Sequence, residues 1–94
     1  MPEVVRLGDK NTAGGRTLKG DKSFIVDGKP VCPIGMPVSP HKPCPKKKKH
    51  CNAKTAQGTR SFIVSGIKVV VKGHKDTCGH PRADGSRTFI VANT

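Results

Sequence analysis

Apolar residues along this chain come in short runs, each broken within a few positions by glycine, proline or a charged residue. Three of the runs are near copies: Ser23-Phe24-Ile25-Val26, Ser61-Phe62-Ile63-Val64 and Thr88-Phe89-Ile90-Val91. Aromatic and β-branched residues in runs of this length favour strands. Each follows a glycine four positions before its Phe, namely Gly20, Gly58 and Gly85. Asp27-Gly28 and Ser65-Gly66 come directly after the first two runs, where such pairs turn a hairpin. Ile67 to Lys72 reads as a further strand, and Gly14-Gly15 as a turn. No window carries a 3.6-residue apolar period, and 11 Gly and 8 Pro oppose long helices. The pattern predicts an all-β chain of short hairpins joined by loops.

The copies extend beyond the Phe. Ala13, Cys51 and Cys78 each stand eleven residues before a Phe. An earlier anchor reads Arg6-Leu7-Gly8, Pro33-Ile34-Gly35 and Val71-Lys72-Gly73. From Gly8 to Gly15 the first copy aligns with Gly73 to His80 without a gap, whereas the middle copy carries an insertion of roughly eleven residues. One domain, 1–94, is expected, with repeats of about 1–27, 28–65 and 66–94 and an inserted loop at 36–50. Three copies imply a pseudo-threefold object of hairpin repeats.

Composition narrows the means of stability. A third of the 94 residues are hydrophobic, and Trp and Tyr are absent. A core this small calls for disulfides, a metal or oligomerisation. No apolar stretch approaches the roughly 20 residues that span a bilayer. The N-terminus lacks the apolar region of a signal peptide, so synthesis in the cytoplasm is expected, where metal thiolates are favoured over structural disulfides. The net charge of +12 suits a polyanionic partner, whether nucleic acid, an anionic membrane or an acidic protein. The Lys46 to Lys49 run has no aromatic residue near it on which bases would stack, so no specific nucleic acid is expected.

Cys51 and Cys78 hold equivalent places in two repeats, so their sulfurs should converge on a common axis. Convergent Cys and His side chains build tetrahedral zinc sites. Ala13 takes that place in the first repeat and offers no ligand; the insertion supplies His41, Cys44 and His50. The expected set is His41, Cys44, Cys51 and Cys78. His50 is the leading substitute, placed below these four because neighbours in extended chain point apart, and His80 is a further one. Cys32 aligns with Val5 and Val70 and reads as a small buried hydrophobe, and His74 aligns with Asp9 and reads as a surface residue. No catalytic motif stands out, and a closed four-ligand site argues for a structural metal, Zn²⁺ with iron as the alternative.

Pro2-Glu3-Val4-Val5-Arg6-Leu7-Gly8-Asp9 with Thr12-Ala13-Gly14-Gly15, then Val26-Asp27-Gly28-Lys29-Pro30-Val31 with Ile34-Gly35, then Asp76-Thr77-Cys78-Gly79 together resemble PAAR-repeat proteins over essentially the whole chain. The resemblance implies a small cone of three β-hairpin repeats with a zinc near its apex, bound by three histidines and a cysteine. Cys78 matches that cysteine and His41 a middle histidine, whereas Ala13 stands where a histidine is usual and Cys44 and Cys51 depart from the pattern. The motif that names the family is eroded here to Pro30-Val31-Cys32-Pro33.

Such proteins sit on the trimeric β-helical spike of type VI secretion systems and contractile phage tails. The implied function is non-enzymatic: one copy caps and sharpens a homotrimeric (VgrG-like) spike, and the assembly pierces the target cell membrane after delivery outside the cell. Phe24, Ile25, Phe62, Ile63, Phe89 and Ile90 are the candidate partner-binding residues. The phenyl rings are expected in the core, and the backbone beside them extends the spike's strands. Two other classes stand beside this one. One is a small basic zinc protein that binds nucleic acid, with strongly salt-dependent affinity. The other is a toxin or enzyme carried on the same apparatus.

Overall fold

In the computed structural model, which describes residues 2–92, Asp21–Val26 (β1) and Lys29–Val31 (β2) pair antiparallel, as do Thr59–Val64 (β3) and Ile67–Val69 (β4). The two hairpins are copies in detail. Asp27 and Ser65 take φ of 53° and 52°, and Gly28 and Gly66 both take 78°, the left-handed pair that a two-residue hairpin turn of matching twist demands. Each ladder slips its register, between Asp21 and Ile25 in one and Thr59 and Ile63 in the other. The glycines before the Phe residues lie at a close approach of backbones. A Cβ on Gly20 would come within 2.8 Å of Pro30, and on Gly58 within 2.7 Å of Lys68.

In the third repeat the expected strand Thr88 to Val91 is not formed as such among the described residues; instead of a contiguous hairpin, the two ends of the chain meet there. Glu3 bridges Ile90, the Val4 N–H donates to the Phe89 carbonyl (3.1 Å), and the Ser86 N–H donates to the Val4 carbonyl (2.8 Å). A Cβ on Gly85 would lie 2.7 Å from Glu3, so Glu3 holds the place of Pro30 and Lys68. The strand expected from Ile67 to Lys72 is therefore shorter. It leaves the hairpin at Val69, and Val71 bridges Val4 instead.

The repeats close on one another in a ring. The Cys32 N–H donates to Val5 (3.0 Å), the Val5 N–H to Val70 (3.0 Å) and the Val70 N–H to Cys32 (2.8 Å). Each of these three positions gives one bond and receives one, so none is left as a free edge. The bridges Thr17–Val38, Thr55–Asp76 and Asn11–Arg82 repeat the cycle further along. Extents of 35 × 23 × 23 Å fit an object with one long axis and two equal short ones.

Layers follow along that axis. Phe24, Phe62 and Phe89 touch one another, with ring centroids 4.8–5.6 Å apart, and pack on Val4, Val26, Val31, Val64, Val69 and Val71. Next come Val5, Cys32 and Val70 with Met36 against them. Burial pushes the Cys32 thiol up to about 11, so it serves as a hydrophobe and not as a reactive thiol. Thr17, Thr55 and Arg82 are fully buried at one repeat position, and beyond them Val38, Ala53 and Cys78 form the last apolar cluster.

Candidate metal centre at the apex

Two loops build the far end. In the third repeat the Asp76 N–H donates to His80 (3.0 Å) and the Gly79 N–H to Asp76 (2.9 Å). Gly79, with φ of 93°, makes the turn between Cys78 and His80, and both side chains join one cluster. In the middle repeat Pro37 and Val38 still bridge Lys54 and Thr17, as Lys10 and Asn11 bridge Arg16 and Arg82 in the first. The chain leaves the repeat frame only after them. The excursion starts at His41 and returns at His50, at the end of a single 3₁₀ turn, Lys48–His50, and the His41 N–H donates to the His50 carbonyl (3.2 Å).

His41, His50, Cys78 and His80 meet there, each offering one ligand atom, with all four atoms within 4.8 Å of one another. His41, His50 and Cys78 are buried and His80 is half-buried. The Nε2 of His41 stands 3.4 Å from the Cys78 Sγ and 3.3 Å from the His50 Nδ1. Metal–nitrogen bonds near 2.0 Å and metal–sulfur bonds near 2.3 Å give tetrahedron edges of about 3.3–3.6 Å, so these gaps fit a tetrahedral ion. Two further observations favour a metal. The His80 Nε2 is buried with no hydrogen-bond partner. The His41 Nδ1 is held by the Ser39 carbonyl at 2.8 Å, the kind of outer contact that orients a metal-binding imidazole and turns its Nε2 toward the cluster.

Burial, then the neighbouring His80 and His41, then Lys49 and Lys47, lower His50 from its ordinary value. That favours the neutral ring, the form in which histidine binds a metal.

Cys44 and Cys51 do not join the cluster. They are bonded to each other, with Cα atoms 5.3 Å apart. The preference for thiolate ligation over a disulfide therefore fails for this pair and holds open only for Cys78; Cys32 and Cys78 are the free thiols. The physical reason lies at residues 50 and 51. Neighbours do point apart here, but His50 turns inward and Cys51 outward. Three of the four candidate ligands are thus histidines, two of which, His50 and His80, spacing offers only as substitutes. A signal for His80 was present in the repeat: the aligned positions hold Gly15 and Ala53, and a Cβ on Gly15 would already lie 2.5 Å from the His41 Nδ1. That column of the repeat points at the site. His74 stands apart from it; its Nδ1 accepts the Val71 N–H (3.2 Å), as the Asp9 carboxylate accepts the Arg6 N–H (2.8 Å).

Beneath the cluster lies a buried polar plug. Arg82 pairs with Asp76 at 2.9 Å and donates to the carbonyls of Asp9 and Gly15, and the Asn11 amide donates to Asp76 at 3.0 Å. Burial pushes Asp76 up and Arg82 down from their ordinary values, and the pairing opposes both shifts. The plug holds Asp76 and Arg82, the bridge residues on either side of the turn that carries Cys78 and His80.

A family model described as the PAAR motif matches residues 7–81. The chain belongs to the PAAR-motif family. A comparison with curated proteins found no match. The family is a structural spike-tip motif, and the cone of three hairpin repeats with a His/Cys cluster at one end is the PAAR architecture. In this PAAR protein the first repeat contributes no residue to the cluster that could hold a metal, and the middle and third repeats contribute two each.

Proposed function

We propose that this PAAR protein caps a homotrimeric β-helical spike, one copy per trimer, and that a structural Zn²⁺ held by His41, His50, Cys78 and His80 sharpens the opposite end. One observation carries the reading. Ile25, Ile63 and Ile90 occupy the same place in three repeats and are 51%, 54% and 50% exposed, around three phenyl rings in mutual contact. Their threefold equivalence matches the open end of a trimer, which presents three equivalent apolar patches and strand edges. Completing the burial of each isoleucine contributes about 1 kcal/mol.

The zinc supplies a cross-link where the cone is too narrow for an apolar core. The role is mechanical: the capped spike is delivered outside the cell and pierces a target envelope, with only transient membrane contact.

The test is to mix the chain with a trimeric spike fragment and weigh the complex. One copy per trimer is expected, and Ile25→Lys/Ile63→Lys/Ile90→Lys should abolish binding while leaving the metal content unchanged. Three copies per trimer, or none with a range of such spikes, would sink the reading.

A further inference from the structure

We propose that the loop between His41 and His50 is a docking surface for an anionic lipid bilayer. Lys42, Lys46, Lys47, Lys48 and Lys49 are all exposed on it, and no ion pair among the described residues involves any of them. The sequence offers them no counter-charge: no Asp or Glu lies between Asp27 and Asp76. Of the carboxylates elsewhere, Asp9 and Asp27 are held by Arg6, and Asp76 by Arg82.

The loop is also built to present its charge. Its two ends are the ligating candidates His41 and His50, and the Cys44–Cys51 disulfide closes it again. The cations are thereby held together at the end of the molecule remote from the phenyl rings. Beside them Lys42, Pro43, Cys44, Pro45 and Lys46 line a shallow, mostly apolar depression. Cations beside apolar surface suit the interface of a membrane, where charge meets headgroups and apolar atoms meet the acyl boundary.

A nucleic acid fits less well. The three Phe are packed on one another at the opposite end, so no ring stands by the lysines to stack a base. A projecting loop meets a broad anionic plane with all its lysines at once.

The inference rests on the spike-tip reading for its setting, but the isolated chain tests it, and the isoleucine face that tests the spike reading is not touched. Zinc-loaded protein is sedimented with vesicles of phosphatidylcholine alone and of phosphatidylcholine with phosphatidylglycerol, over a series of salt concentrations. Binding is expected only with phosphatidylglycerol and is expected to weaken as salt rises. Lys46→Gln/Lys47→Gln/Lys48→Gln/Lys49→Gln should lower the partition coefficient by at least about a hundredfold. The same number of changes at exposed lysines outside the loop, Lys19→Gln/Lys22→Gln/Lys29→Gln/Lys72→Gln, should lower it by no more than about fivefold. Retained metal content shows that each variant is folded. Equal losses in the two variants would reduce the effect to net charge and overturn the proposal. Binding indifferent to phosphatidylglycerol would overturn it too, as would a loop variant that loses a DNA duplex while vesicles never bound.

Discussion

His50 and Cys51 are adjacent in the chain and face opposite ways: the His50 Nδ1 lies 3.3 Å from the His41 Nε2, and the Cys51 sulfur is bonded to Cys44. Metal content therefore separates the four cysteines. Cys44→Ser/Cys51→Ser should still bind one equivalent of zinc. Cys78→Ala should weaken binding by more than the roughly 10–100-fold that loss of an outer-shell support costs. Metal analysis and competitive chelator titration read both. A double serine variant without metal would return these two sulfurs to the ligand set.

Gly15 leaves no room for a side chain. Its Cβ would come within 2.5 Å of the His41 Nδ1 and 2.9 Å of Val38. Gly15→Ala should push His41 out of line and lower zinc affinity by about tenfold or more, the size of an outer-shell loss. Circular dichroism should stay unchanged. Wild-type affinity in the alanine variant would show that His41 is free to move and is not held for a metal.

Arg82 is fully buried against Asp76. Arg82→Met strands a buried carboxylate and should cost about 3–5 kcal/mol of stability by denaturant unfolding. Asp76→Asn/Arg82→Met removes both charges and should recover a large part of that loss. Equal destabilisation in the single and double variants would mean that packing of the guanidinium matters more than its charge.

Acid should destabilise the metal-free protein. His50 has a folded value below the ordinary one, so the native state binds fewer protons than the unfolded chain. Its contribution is fully present above the ordinary histidine value of about 6.5 and is lost as pH falls below it. Asp27, lowered by hydrogen bonds from Ser86 and Thr88 and by Arg6, has the same sign but acts only in the carboxylate range. The melting temperature of metal-free protein should fall between pH 7.5 and pH 5, and less so in His50→Gln. An identical slope in both would remove His50 from the account.

Much of the fold can be read along the chain. The first two Phe-Ile-Val runs and the Asp27-Gly28 and Ser65-Gly66 turns are local signals, because the residues that pair lie within a few positions of the turn. The place of Cys32 beside Val5 and Val70 follows from alignment alone, since equivalent positions of a cyclic object share one level on its axis. The ligand set was less legible. Cys51 and Cys78 are equivalent in backbone, but the insertion before Cys51 changes the direction of its side chain. The ring closure that pairs Glu3 with Ile90 leaves no local trace either.

Local sequence thus determined the all-β character, the threefold repetition, the apolar face of Ile25, Ile63 and Ile90 and the concentration of charge between His41 and His50, since each depends on residue type and spacing. Tertiary structure alone decided which side chains share the apex. Whether a sulfur meets a metal or another sulfur depends on the path of the 42–49 loop in space, and spacing along a chain does not specify which way a side chain turns once the loop has closed.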